Sequence, residues 1–300
     1  MTSLDPTLAA LVRAQTGVTW SRARALCAEG RVSIDGQPCL DPAVRVPPGA
    51  VVTVDRAARK IRARALSENA IVHFDRDIVV VDKPAGMLSV ADVTGNRNTL
   101  ADHLRTLLRS LDSHGPDAPL GVVHRLDKDT SGVMVFARTT PAKRILAAQF
   151  RAHDVQRIYH ALAHGTVAEA HVESYLARDR GDGLRGSLPA LRGGQAVDEA
   201  AAKRAVTQIR PIAQLSGATL VECSLETGRQ HQIRIHLAEL GHPLLGERVY
   251  IRDLAGERID APRTMLHAHT LGLMHPRTGQ SMIFRRDAPE DFRSMIEALS

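Results

Sequence analysis

The sequence predicts an α+β fold in two parts, a small αβ module at the amino terminus and a larger mixed α+β domain behind it. Three observations carry this prediction. Short β-branched runs of strand length recur at residues 71–74, 78–81, 120–123 and 133–137,. Two stretches between and after them have helical periodicity, 98–111 with leucines at 100, 104, 107, 108 and 111, and 141–153 with Ile145, Leu146 and Phe150 on one side,. The charge is also uneven: residues 1–64 hold ten Lys or Arg against five Asp or Glu, a net +5 out of +6 for all 300 residues.

In the first part, Thr19 to Ala28 has helical character with Trp20, Ala23 and Cys27 on one face, and it stops at Gly30,. Arg31 to Ile34 alternates as a strand, Asp35-Gly36 marks a tight turn, and Val51 to Val54 forms another strand after Pro47-Pro48-Gly49,. Residues 57–69 lack a second face and read as a charged connector. The larger domain opens with strands Ile71 to Phe74 and Ile78 to Val81 across Asp75-Arg76-Asp77, and Asp82 to Gly86 has turn composition,. Ser113 to Pro119 is a loop. For the helix of 141–153, Thr140 is the expected cap and Pro141 sits in the first turn,. Ala177 to Gly194, rich in Gly and Arg, reads as a surface loop or long hairpin.

Composition narrows the function. At 3% aromatic residues, Leu, Val, Ile and Ala must build the core, and a pI near 9.6 suggests an anionic partner,. The basic first part makes a nucleic acid the favoured one. Cys27, Cys39 and Cys223 are odd in number and widely spaced, which fits neither a zinc nor a redox motif and suits a reducing, cytoplasmic setting,. No apolar run reaches signal-peptide or membrane-spanning length, so a soluble protein without a membrane partner is expected,. Gly193-Gly194 lacks the lysine and hydroxyl of a phosphate loop, which argues against a nucleotide cofactor,. His231, His236 and His242 have no metal-ligand spacing, so no metal is expected and hydrogen bonding is their ordinary use,.

The stretch that demands chemistry is Gly121 to Gly132, G-V-V-H-R-L-D-K-D-T-S-G, five charged or ionisable side chains between two apolar runs. Taken alone, Asp127 beside Arg125 and Lys128 fits a structural ion pair. The order His124-Arg125-Leu126-Asp127 followed by Asp129-Thr130-Ser131-Gly132, however, resembles the central motif of the pseudouridine synthases of the large-subunit ribosomal RNA (RluA) type. Four further segments resemble the same family: V-V-D-K-P-A-G ending at Gly86, Arg157-Ile-Tyr159-His160-Ala161, L-E-T-G-R-Q-H-Q-I-R-I-H from Leu225 to His236, and His267-Ala268-His269 with Leu273-Met274-His275-Pro276. Gln230 stands where the family commonly has Thr, and Glu247 where it has Asp. Residues 7–56 resemble the small RNA-binding domain shared with a small-subunit ribosomal protein, although its lysine-rich helix is here Ala25-Leu26-Cys27-Ala28.

The resemblance implies a largely antiparallel catalytic sheet with flanking helices. It also implies residues 1–64 as a basic RNA-binding module with connector and 65–300 as the catalytic domain. By the same resemblance Asp127 would be the nucleophile, Arg229 its charged partner, and Tyr159 the ring that stacks on the target uracil. Arg125 would hold the extruded nucleotide with His124 beside it, and Arg22, Arg24 and Arg31 would face RNA. Ribosomal RNA is the favoured partner with transfer RNA open, and no cofactor is implied. A non-catalytic RNA-binding or ribosome-assembly factor of the same fold, and a metal-dependent hydrolase using the histidines, are the competing readings.

Overall fold

The computed structural model describes residues 6–39, 42, 44–58, 66–91, 98–111, 120–179, 184–188, 202–251, 254 and 256–300. The loop expected at 113–119, residues 59–65 of the connector and most of the Gly- and Arg-rich segment lie outside these residues. The chain divides into two compact units, one formed by the described residues up to 58 and one by those from 66 onward.

The first unit has helices α1 (Leu8–Thr16) and α2 (Trp20–Ala28) and strands β1 (Val32–Ile34), β2 (Gln37–Pro38) and β3 (Val52–Val54), the strands antiparallel in the order β2-β1-β3. Helix α1 has no counterpart in the sequence expectation. Its signals are local nonetheless: Thr7 caps the Ala10 amide, and Gly17 ends the helix in the left-handed conformation at φ 67°,. Thr19 caps α2 through the Arg22 amide. Leu8, Val12, Ala23, Leu26, Cys27 and Val32 close a small core between helices and sheet. Trp20, expected with Ala23 and Cys27 on the buried face, is instead 43% exposed, because the cap puts it in the first turn at the rim.

The second unit follows a single helical turn (Glu68–Ala70) with β4 (Ile71–Phe74), β5 (Ile78–Lys83), α3 (Leu100–Leu111), β6 (Gly121–Val122), β7 (Ser131–Ala137) and α4 (Thr140–Ala152). It continues with β8 (Gln156–His164), β9 (Ala170–Ala177), β10 (Gly186–Ser187), β11 (Ala202–Leu215) and β12 (Ala218–Leu225). Helix α5 (Gln232–Glu239), strands β13 (Leu266–Met274) and β14 (Ser281–Arg285) and helix α6 (Glu290–Leu299) complete it. The sheet runs β10-β9-β11-β12-β8-β13-β7-β5-β4, with β14 on β13 and β6 on β7. Every pairing is antiparallel except β13 with β7.

Two expected boundaries move. The cap of α4 is Thr139, whose hydroxyl accepts from the Ala142 amide, so Thr140 is already helical. Asp82 and Lys83 extend β5 instead of turning, because they pair with Val133 and Gly132 of β7. Strands β5 and β7 are buried almost throughout, with Ile78, Val80, Val133 and Val135 packed against Leu146 of α4 and Leu271 of β13. This is the continuous apolar pattern of a strand covered on both faces. A second core joins Ala161, Ile209, Val221, Ile233, Leu237 and Leu244 beneath α5.

The parallel contact of β7 with β13 decides where the charged loop of residues 123–130 ends up. It places Gly132 against Ala268, in turn the neighbour of Tyr159 on β8. Gly132 has φ 113°, and a Cβ there would lie 2.2 Å from the Ala268 carbonyl oxygen, so no other residue fits this junction,. Among the described residues no helix is long and apolar enough to cross a membrane.

The β4–β5 turn supplies a pH-dependent element of stability. Burial alone would raise the Asp75 carboxyl, but hydrogen bonds from His73, the Ile78 and Asp77 amides and His275 outweigh it and bring the group down to about 2. The unfolded group titrates near 3.8, so the stability it confers is present above that value and is lost as pH falls toward 2,. Asp75→Asn should remove about 1 kcal/mol near neutral pH, a figure already discounted for solvent screening. It should also flatten the acid limb of the stability curve between pH 4 and 2, read from urea midpoints across that range.

Candidate active site

A loop without ladder partners has backbone groups to satisfy, and residues 123–130 meet that need with buried donors. Lys83, fully buried at the end of β5, donates to the carbonyls of Pro84, Lys128 and Thr130 at 3.0, 2.9 and 2.7 Å. Burial pushes its ammonium down to about 7 against the pull of Asp129 and Asp127, and the three carbonyls occupy all three of its protons,. Ser89 both donates to the Leu126 carbonyl and accepts from its amide. Arg263, anchored on Asp291 at 2.6 Å, reaches the Asp129 carbonyl at 2.8 Å.

The loop so held forms one wall of a cleft of about 560 Å³ that Arg125, Asp127, Tyr159, Arg229 and His231 also line. The structure therefore brings together the residues selected from the sequence as Asp127, Tyr159, Arg229 and Arg125. The charged neighbours of Asp127 are not those expected, however. Arg234 approaches it to 3.6 Å and His231 to 3.8 Å, whereas the Arg229 Nε donates to the Arg204 carbonyl at 2.8 Å and makes no ion pair with Asp127. The reason lies at the start of α5. His231 takes the left-handed conformation there at φ 61°, so Arg229 precedes the helix while Arg234, one turn in, points at the loop.

Arg234 is fixed from behind. Its Nε and Nη2 donate to the two carboxylate oxygens of Glu247, both at 2.8 Å, and Glu247 is completely buried. Burial resists the charge on Glu247, but the hydrogen bonds and charge of Arg234 and the amides of Val249 and Tyr250 overcome it and hold the carboxyl below its usual range. Burial likewise works against the Arg234 charge, and Glu247 and then Asp127 more than restore it, so the guanidinium is held above its usual value. Gly246 turns the chain into Glu247 at φ 73°, where a Cβ would lie 1.9 Å from the Arg263 carbonyl oxygen. Tyr250 accepts or donates at 2.7 Å to His231 Nδ1 and lies 5.2 Å beneath the Arg234 guanidinium.

Tyr159 sits on β8 between Ala268 and Cys223 of the flanking strands. Burial, opposed by Arg157 and reinforced by Asp127, raises its hydroxyl to about 12, so the ring stays a neutral phenol at neutral pH. His124 is used in packing, since its Nε2 accepts from the Val135 amide at 3.1 Å and its ring stacks on Phe150 at 4.5 Å. Burial and Arg157 bring it down to about 3, leaving it neutral and without an ionic contact to offer RNA. In the first unit Arg22 and Arg31 both pair with Glu29 at 3.4 Å, and Arg24 lies against Trp20.

Arg234, Glu247, Lys83 and Arg263 escaped the sequence reading as site residues. A signal existed for one of them: Arg234 stands between Ile233 and Ile235 in a buried pattern, and a charge among core residues implies a buried partner,. The histidines are hydrogen-bonded, His236 to Ser174 and Thr207 and His242 to the His164 carbonyl.

Comparison with known proteins adds an independent line. A family model described as RNA pseudouridylate synthase matches residues 77–239, and one described as the S4 domain matches residues 9–52. A ribosomal large subunit pseudouridine synthase D of Zymomonas mobilis subsp. mobilis is 37% identical over 99% of this chain and 93% of its own length. One of the same description from Pseudomonas aeruginosa is 35% identical over 90% and 84%. Among solved structures, human RNA pseudouridylate synthase domain containing 4 superposes with a TM-score of 0.62 at 25% identity, covering 76% of this chain and 92% of that one.

The buried pair behind Asp127 has a measurable signature. Glu247→Gln should destabilise the protein by about 3–5 kcal/mol in urea unfolding, because it leaves Arg234 buried without its counter-charge. The double variant Arg234→Met/Glu247→Leu should recover part of that loss. A single variant as stable as the parent would show that the pair is not what holds this wall.

Proposed function

The chain belongs to the RNA pseudouridine synthase family, and on that premise we propose that it isomerises uridine in ribosomal RNA, with Asp127 as the reacting carboxylate. The observation that carries the residue assignment is the pairing of Asp127 with an arginine whose other face is held by a buried glutamate. An isomerisation of uridine to pseudouridine breaks the N1–C1′ bond and forms a C5–C1′ bond. The proton on C5 leaves and N1 gains one, so no oxidant or group donor enters the balance. A carboxylate beside the sugar can attack it or remove a proton from it while positive character develops at C1′. Arg234 gives that carboxylate a fixed direction.

The remaining residues divide by position. The target base must leave its stack, at a cost of about a few kcal/mol. Tyr159, a neutral ring in the cleft wall, is suited to stack on the extruded uracil and to donate a hydrogen bond. Arg125, exposed on the loop, is suited to take the place the base vacates. Arg229, tied to the Arg204 carbonyl, is suited to a phosphate next to the flipped nucleotide and acts as a binding residue in this reading. We read residues 1–64 as the RNA-binding module and 65–300 as the catalytic domain, working in the cytoplasm on large-subunit ribosomal RNA as the names of the relatives suggest.

A large-subunit ribosomal RNA transcript labelled with tritium at uridine C5 tests both substrate and residues, since isomerisation releases the label. Asp127→Asn should lower release by at least about a thousandfold while RNA binding persists. Arg234→Lys, which keeps a positive charge against the buried Glu247, should cut the single-turnover rate by about a hundredfold with little change in affinity, and Arg229→Ala should do the reverse. A normal rate for Asp127→Asn would remove the nucleophile assignment, and an unaffected rate for Arg234→Lys would return the partner role to Arg229.

A further inference from the structure

The first unit exposes the only tryptophan of the chain. Trp20 leaves 43% of its surface to solvent and takes no part in the core formed by Leu8, Val12 and Leu26. Two guanidiniums lie over the ring in cation–π contact, Arg13 of α1 at 5.1 Å and Arg24, one turn further along α2, at 5.9 Å from its centroid, and either can swing off the ring toward a phosphate,. The ring borders a recess of about 460 Å³ lined by Ala10, Arg13, Ala14, Gly17 and Val18. Its floor is made of small residues, and a side chain added at Gly17 would meet open space.

Among the described residues neither Arg13 nor Arg24 has an acidic partner. The described acids of this unit are spent elsewhere: Glu29 on Arg22 and Arg31, Asp35 on the Val51 amide, and Asp55 on the amides of Ala57 and Ala58. Arg56 donates to the Thr16 carbonyl and adds a third positive charge at the end of α1.

We propose that Trp20, Arg13 and Arg24 form a stacking site for one unpaired RNA base, the indole taking its face and the two arginines its flanking phosphates. An exposed ring that carries two guanidiniums with no acidic partner among the described residues matches a single-stranded nucleotide, which presents a π-face and an anionic backbone together,. A stacked duplex hides its base faces, and an acidic peptide would use the arginines but leave the ring idle. The site moves the RNA contact away from Arg22 and Arg31, which share Glu29 as a counter-charge. The inference deepens the RNA-modifying reading given above and rests on it.

Because Trp20 is the chain's only tryptophan, its fluorescence reports on this site alone. The full-length Asp127→Asn protein is titrated with an unstructured twelve-nucleotide RNA and with the same sequence in a duplex, and labelled RNA is bound to Trp20→Ala and Trp20→Phe proteins by anisotropy. The single strand should quench the emission and shield it from acrylamide, and the duplex should do neither. Trp20→Ala should weaken binding by about ten- to a hundredfold, and Trp20→Phe, which keeps a stacking ring and the fold, by no more than about threefold. Unchanged emission on saturation, equal quenching by the duplex, equal affinity of Trp20→Ala, or no binding of the single strand would overturn the proposal. Quenching by the single strand together with no tritium release from the ribosomal RNA transcript by the parent protein would uphold the stacking site and count against the catalytic reading instead.

Discussion

The architecture of the cleft depends on how the carbonyl groups of an irregular loop are satisfied in the interior. Residues 123–130 leave β6 and enter β7 without a ladder partner of their own, yet much of the segment is buried or half-buried. Peptide carbonyls in that position cost about 1–3 kcal/mol each if left without donors. Lys83 and Arg263 answer with buried charge-assisted hydrogen bonds to Pro84, Lys128, Asp129 and Thr130. A hydroxyl would have met one carbonyl and a side-chain amide two. The ammonium meets three, and so ties the end of β5 to the loop between β6 and β7 at a single atom.

The second layer follows from the first. With the loop tied down, Asp127 projects into the cleft from fixed backbone, and Arg234 and His231 face it from the start of α5. The arginine does not float, because Glu247 accepts from it twice while also accepting from the amides of Arg248, Val249 and Tyr250. A buried carboxylate with that many donors is stable as an ion, whereas the same group with one partner removed would carry an uncompensated charge. The two glycines at the close approaches, Gly132 and Gly246, let the backbone pass near Ala268 and Arg263 where any side chain would collide.

Local signals in the sequence were good guides where the physics is local. The leucine stripe of α3, the apolar runs of β5 and β7 and the turn at Asp35-Gly36 follow from periodicity and backbone preference over a few residues. The errors were local competitions too. Thr139 and Thr140 are both able to cap, and the one whose backbone stays extended won. Asp82-Lys83-Pro84 has the composition of a turn, but pairing with β7 drew Lys83 into the sheet, where burying its stem and satisfying its charge outweighs turn propensity,. The strands from β8 to β12 mix polar and apolar positions on a sheet with one covered face, and their alternation is weaker than that of β5 and β7.

By itself the sequence determined the types of helices α2 to α4 and of strands β4 to β7, the basic character of the first module and the charged loop that carries Asp127, because each is written in neighbouring residues. It also carried the family, in motifs whose order is linear. Which arginine faces Asp127 was decided only by tertiary structure. Arg229 and Arg234 lie five positions apart in one motif, and both are suitable in charge and reach. The left-handed turn at His231 sends one to the Arg204 carbonyl and the other to Asp127. Glu247 then holds the second in place from a segment that sequence distance does not connect to the loop. Ion pairs of this kind are set by which strands become neighbours, here β7 beside β13, and sheet neighbours far apart in the chain leave no periodic trace in it.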